Sequence, residues 1–311
     1  MPNGWRRMAA LAALAGTALL AAGCSSSLAL EAATANGTII AVGAENQYAD
    51  VIQQVGGKYV QASAIMSNPN TDPHTFEASA STGRLVNAAR LVVQNGLGYD
   101  TFMDTIEKAV PDSGRHVIVV QKLLGLPDST PNPHLWYDPA TMPKVADAIA
   151  ESLAAIQPAH AAYFKANAAA FTTSLGPWID AIGTFRQHYP GTPVATTEPV
   201  ADYLLQALGA DNKTPWAFQA DVMNGTDPSA QDVAIERSLF TQYKVRAFLY
   251  NQQVTDSLTE SFIALARASG IPVAGVYETM PEPGYRYQSW MLAEVRALQQ
   301  AVASHVSSEH L

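Results

Sequence analysis

MPKVADAIAESLAAIQPAHAAYFKANAAAFTTSLGPWIDAIGTFRQHY, residues Met142 to Tyr189, decides the architecture of this chain. The stretch is rich in alanine, reads as helical, and is longer than an ordinary crossover between two strands. Pro158 and the pair Gly176-Pro177 interrupt it, so breaks or kinks are expected there rather than one uniform rod. On its N-terminal side, short β-branched runs alternate with helical patterns: "TIIAVGA" (38–44), "ENQYADVIQQVGG", "YVQASAIM" (59–66), a helix over 79–89, "LVVQNG" (91–96), a helix over 99–110, and "HVIVV" (116–120). On the other side the alternation resumes with "TPVATTE" (192–198), helices over 200–208 and 229–243, "VRAFLYN" (245–251), a helix over 256–269, "PVAGVYE" (272–278), and a last helix over 285–305. Strand and helix alternating at this pitch imply parallel sheets built from βαβ units. The expected fold is α/β: two lobes with parallel sheets, residues 37–140 and 190–311, joined by a long bridging helix over 141–189.

Residues 1–23 read as a lipoprotein signal peptide. Arg6 and Arg7 form a basic start, and the apolar run from Met8 to Ala22 is shorter than the ~20 residues a membrane span needs. The run ends in Leu20-Ala21-Ala22-Gly23-Cys24, which resembles a bacterial lipobox, so Cys24 is the expected lipidation site. It is the only cysteine, which excludes an intramolecular disulfide and a thiolate metal site. Residues 24–36, rich in Ser and Ala, read as a tether. The expected location is therefore outside the cell membrane, held there by a lipid. A net charge of −9 excludes a basic nucleic-acid footprint and suits a cation binder.

Two strings, Asn70-Thr71-Asp72-Pro73-His74 and Asn132-Pro133-His134-Leu135-Trp136, put a histidine behind a proline in a loop. Proline stiffens the backbone, and a neutral imidazole offers a lone pair to a transition metal at modest proton cost. Pro-His also arises by chance in turns; two such strings among seven histidines favour ligands. Open parallel sheets bind ligands beyond the carboxyl ends of their strands. His74 follows the strand 59–66, and Glu198 and Glu278 each stand at the end of a strand. Two nitrogens and two carboxylates suit Mn²⁺, Fe²⁺ or Zn²⁺ and neutralise a divalent charge. Protonation of the histidines below about pH 6 is expected to weaken such a site.

The run from "AVGAENQYADVIQQVGGKYVQASAIMSNPNTDPHTFEAS" through "NPHLWYDP" to "ETMPEPGYRYQSWMLAEV" resembles the metal-binding lipoproteins that feed zinc or manganese to bacterial ABC importers. The resemblance covers essentially the whole chain after the signal segment. It implies two α/β lobes bridged by a rigid long helix with a metal between them. It also implies that His74, His134, Glu198 and Glu278 are the ligands, that the cargo is Zn²⁺ or Mn²⁺, and that the partner is the transmembrane permease, with the receptor a monomer and not an enzyme. Where many members carry aspartate as the fourth ligand, this chain has Glu278, one methylene longer. The His-rich loop common among zinc members is absent around "LLGLPDSTP".

Several neighbours are weighed against these four. Glu77 reads as a surface or capping carboxylate, and Glu282 competes with Glu278 but lies between prolines. Asp72, Asn132 and Asp138 are expected to brace loops, and Tyr250-Asn251-Gln252-Gln253 to stand behind the ligands. Trp136, Tyr137, Trp216, Tyr285, Tyr287 and Trp290 are expected to wall the cleft or pack the lobes. A secreted metallohydrolase would need an open metal position and a general base; no HExxH string supplies one. A carrier of chelated iron would need a broad basic pocket, and an adhesive role is the remaining alternative.

Overall fold

The computed structural model describes residues 37–68, 76, 79–281 and 283–311. The first lobe runs β1 (Ile39–Glu45), α1 (Asn46–Gly56), β2 (Val60–Met66), α2 (Ala80–Ala88), β3 (Leu91–Gln94), α3 (Thr101–Ala109), β4 (His116–Val119) and the short α4 (Val120–Leu123). Its four strands are all parallel, in the order β2-β1-β3-β4. β1 is buried at all seven positions because helices cover both faces of the sheet, so its sequence is a continuous apolar run rather than an alternation. At Gly43 a Cβ would stand 2.4 Å from the backbone nitrogen of Ala49, so the bare backbone lets α1 turn directly off the strand.

The helical region is three helices: α5 (Thr141–Ile156), α6 (Ala161–Ser174) and α7 (Gly176–His188). The breaks fall at the two expected places, a 3₁₀ turn over Pro158–His160 and the step into Gly176-Pro177. Because α5 lies along α6, the chain reverses at the first break, and α5 packs back onto α1 and β4 of the first lobe. The connection between lobes is therefore α6 and α7: α6 rests on α1, while α7 rests on helices of the second lobe.

That lobe runs β5 (Pro193–Thr196), α8 (Asp202–Leu208), β6 (Asp211–Asn212), α9 (Trp216–Met223), α10 (Ala230–Thr241), β7 (Ala247–Asn251), α11 (Ser257–Ala268), β8 (Val273–Val276) and α12 (Tyr287–Ser304). Its sheet order, β6-β5-β7-β8, repeats that of the first lobe, again all parallel. A capping box at Asp256 and Thr259 starts α11, and one at Ser79 and Thr82 starts α2. The largest apolar core is shared: Trp136 and Tyr137 from the first half meet Tyr287 and Trp290 of α12, with Trp178 of α7 beside them. No described helix is long and apolar enough to cross a membrane.

Candidate metal centre

In each sheet the strand order reverses direction beside the first strand, between β1 and β3 and between β5 and β7. Such switch points leave a crevice at the carboxyl ends. Hydrogen bonds join the two crevices. Asn46, opening α1, pairs with Met280 through both amide atoms, at 2.7 and 2.8 Å, and Gln47 Nε2 donates to the Glu278 carbonyl at 3.2 Å. Tyr99, just after β3, donates to Glu278 Oε2 at 2.9 Å.

His134 is completely buried. Asn132 Oδ1 accepts from its backbone N–H at 3.0 Å and lies 2.7 Å from its Nδ1, while Asn132 Nδ2 donates to the Pro199 carbonyl at 2.8 Å. The donation to Pro199 fixes which way the amide points, so Nδ1 carries a proton and Nε2 is the ring nitrogen turned away from Asn132. Nε2 lies 3.4 Å from Glu278 Oε2.

Glu278 is held from both sides. Besides Tyr99 and His134, Asn251 Nδ2 donates to its Oε1 at 2.7 Å, and Gln253 Oε1 accepts its backbone N–H at 2.6 Å. The same Asn251 amide donates to Glu198 Oε1 at 3.1 Å, so one neutral group at the end of β7 links the two carboxylates. Glu198 is 2% exposed and Glu278 fully buried. Behind Tyr99, Asp100 accepts from the backbone of Asn95 and Gly96, and burial pushes its carboxyl up to about 6. Burial, and next the negative charge of Glu278, raise the Tyr99 hydroxyl, which keeps its proton for donation.

Of the four expected ligands, the structure sets His134 against Glu278 and links Glu278 to Glu198 through Asn251. His74 lies outside the described residues, as do Asp72, Glu77, Glu282 and Cys24. Among the described residues no three His, Cys, Asp or Glu side chains stand close enough to hold an ion by themselves. One imidazole nitrogen and two carboxylates are borderline-to-hard donors, as zinc and manganese require.

The match to known proteins covers nearly all of this geometry. Residues 42–301 match the family described as ZnuA, zinc-uptake complex component A, periplasmic. The chain belongs to this family. It is 25% identical over 234 residues to the manganese-binding lipoprotein MntA of Bacillus subtilis (strain 168), covering 72% of this chain and 74% of MntA. It is 23% identical over 245 residues to the zinc-binding protein TroA of Treponema pallidum (strain Nichols), covering 76% and 78%. The solved structure of the periplasmic zinc-binding protein TroA superposes with a TM-score of 0.72 at 20% identity, over 87% of this chain and all of TroA. A manganese-bound periplasmic metal-binding protein from Candidatus Liberibacter asiaticus gives 0.71 at 16% identity, over 85% of this chain and all of that one. Both share the fold of two α/β lobes.

Within this family fold, the groups expected behind the ligands have definite work: Asn132 orients His134, and Asn251 and Gln253 hold Glu278. Asp138 instead braces the start of α5, accepting from Ala140 at 2.9 Å. Trp136, Tyr137, Tyr287 and Trp290 are buried packing, whereas Trp216 stays 42% exposed and lines a groove with Tyr99 and Pro133 at the meeting of the lobes. Tyr99, Asn46 and Gln47 were not among the expected site residues. The signal was available, since all three follow strands at a switch point. Asn132→Leu is expected to weaken ion affinity roughly 10- to 100-fold by freeing the imidazole of its orienting acceptor. Competition titration measures this, and unchanged affinity would show that the Asn132 bond does not set the ring.

Proposed function

We propose that this protein is an extracytoplasmic receptor that captures a divalent transition metal, zinc or manganese, and delivers it to the permease of an ABC importer. His74, His134, Glu198 and Glu278 hold the ion, and Cys24 carries the lipid that keeps the receptor at the membrane. The observation that carries the reading is His134 Nε2 turned toward Glu278 across the junction of the two lobes, 3.4 Å apart. A neutral imidazole and a carboxylate facing each other gain little alone, whereas a divalent cation uses both lone pairs. The family membership, and relatives named for manganese and zinc binding, support the same cargo class.

The ligands are buried, so the ion leaves only when the lobes shift. Asn46–Met280 and Tyr99–Glu278 are the bonds such a shift breaks first. Docking on the permease supplies that shift. Elemental analysis of the purified protein tests the reading. About one equivalent of zinc or manganese, or one saturable site for them after chelation, is the expected result; no bound metal and no titratable site would refute it.

A further inference from the structure

β1 ends in Glu45, its only charged residue, and this side chain has no solvent exposure. Both carboxyl oxygens are buried, and neither has a hydrogen-bond partner. Native structures rarely leave a carboxyl in that condition, because it loses its hydration and gains nothing in return. Among the described residues, the titratable groups that interact with it are Asp100, Tyr48 and Tyr99, none of them cationic. Burial and then the nearby Asp100 hold the carboxyl well above its usual range.

Its surroundings say what it lacks. The next two residues, Asn46 and Gln47, bond to the backbone of Met280 and Glu278. Tyr99, which donates to the Glu278 carboxylate, feels the charge of both Glu278 and Glu45. Trp136 packs edge-on to His134, Tyr99 and Tyr48, with ring centroids 5.4, 5.1 and 6.5 Å away, and its buried indole N–H has no partner either. Unpartnered polar atoms therefore border the same loops that carry His134 and Glu278.

We propose that Glu45 is a further carboxylate of the metal site, holding a water on the ion, and that it favours manganese over zinc. The proposal rests on the receptor reading above. Glu45 is assigned a water rather than the ion itself because its oxygens, unlike those of Glu198 and Glu278, share no donor with the other proposed ligands. A buried water needs two to four polar partners, which the Glu45 oxygens and the Trp136 N–H help to supply. Manganese takes about six donors and prefers oxygen, whereas zinc is content with four. A carboxylate-held water is a donor that manganese uses and zinc does without.

The test compares the wild-type protein with Glu45→Gln, which keeps the shape and removes the charge, by competition titration with Mn²⁺ and Zn²⁺ at pH 7. Glu45→Gln is expected to lose about tenfold or more in manganese affinity and at most about threefold in zinc affinity, in the range of outer ligand partners. Thermal unfolding of the metal-free forms checks folding, and Glu45→Ser replaces Glu45→Gln if the latter does not fold. A manganese-to-zinc ratio equal to that of the wild type overturns the proposal. A wild type that binds neither ion overturns the receptor reading, and this inference with it.

Discussion

Glu278→Ala is expected to lower metal affinity at least a hundredfold, about 3 kcal/mol or more, and to leave less than a tenth of an equivalent of metal on the purified protein. The size follows from what converges on this one carboxylate. It is fully buried, faces His134 Nε2, and accepts from Asn251 and Tyr99. Its removal deletes the charge of a proposed ligand and leaves the Tyr99 hydroxyl and one hydrogen of the Asn251 amide without that acceptor. Glu278→Asp is the informative companion. It keeps the charge but shortens the reach by one methylene. Retained binding with a shifted zinc-to-manganese ratio is the outcome for a true ligand. Stoichiometric metal on Glu278→Ala, by elemental analysis, would remove this residue from the site.

The metal-free protein is expected to lose stability steadily as pH rises from about 5 to 8. Glu294 is buried on α12, where its Oε1 accepts from Trp290 at 2.7 Å and lies 2.8 Å from the Tyr137 hydroxyl. Tyr137 also donates to the Tyr277 carbonyl at 2.8 Å. One phenolic hydrogen cannot serve both acceptors, but a protonated Glu294 can donate to Tyr137 while Tyr137 donates onward. Burial pushes the Glu294 carboxyl up to about 8, and does the same for Glu236 in the second lobe. The unfolded chain releases these protons near pH 4.5, whereas the folded chain keeps them to about pH 8. Between those values the native state binds more protons, so stability falls with rising pH. The loss is on the order of 3 kcal/mol for each group across the window. Glu294→Gln, whose amide oxygen can accept from Trp290 and which does not titrate, should flatten the profile and raise the melting temperature at pH 8. Melting curves across the range measure it. A profile that rises toward pH 8 would show that these carboxyls are ionised in the native protein.

Most of the architecture was readable because buried parallel strands announce themselves. The runs at 38–44, 91–96 and 245–251 match β1, β3 and β7 to within two residues at each end, and the two helix breaks fall at the prolines that predict them. The region between Leu208 and Ser229 carried no readable pattern, yet it holds β6 and α9. β6 is two polar edge residues, Asp211 and Asn212, defined only by backbone pairing with Pro193 and Val194. α9 is barely two turns long and opens directly after Pro215. The reversal between α5 and α6 was equally invisible, because a proline marks a break and not the direction taken after it. At the site, residue chemistry and strand ends pointed to His134, Glu198 and Glu278, and could have pointed to Tyr99 and Asn46, but the bonds those two make needed coordinates. Their partners are more than 170 positions away, and no local spacing encodes a bond that long.

The passage through α6 and α7 has a mechanical meaning. Receptors hinged on paired extended segments swing open at the cost of a few loop torsions; here one kinked strut of roughly 40 Å makes the crossing. Trp178, just past the kink, packs edge-on against Tyr287, and Trp290 lies against the same ring. A wide swing would unseat those rings or tear the turn in which Trp178 and Ile179 both donate to the Leu175 carbonyl. The permitted motion is a small flexure, too slight to change the outline of the molecule. A transporter that tells full receptors from empty ones must then sense compliance rather than shape, reading how firmly the loops around Glu278 resist being pulled apart.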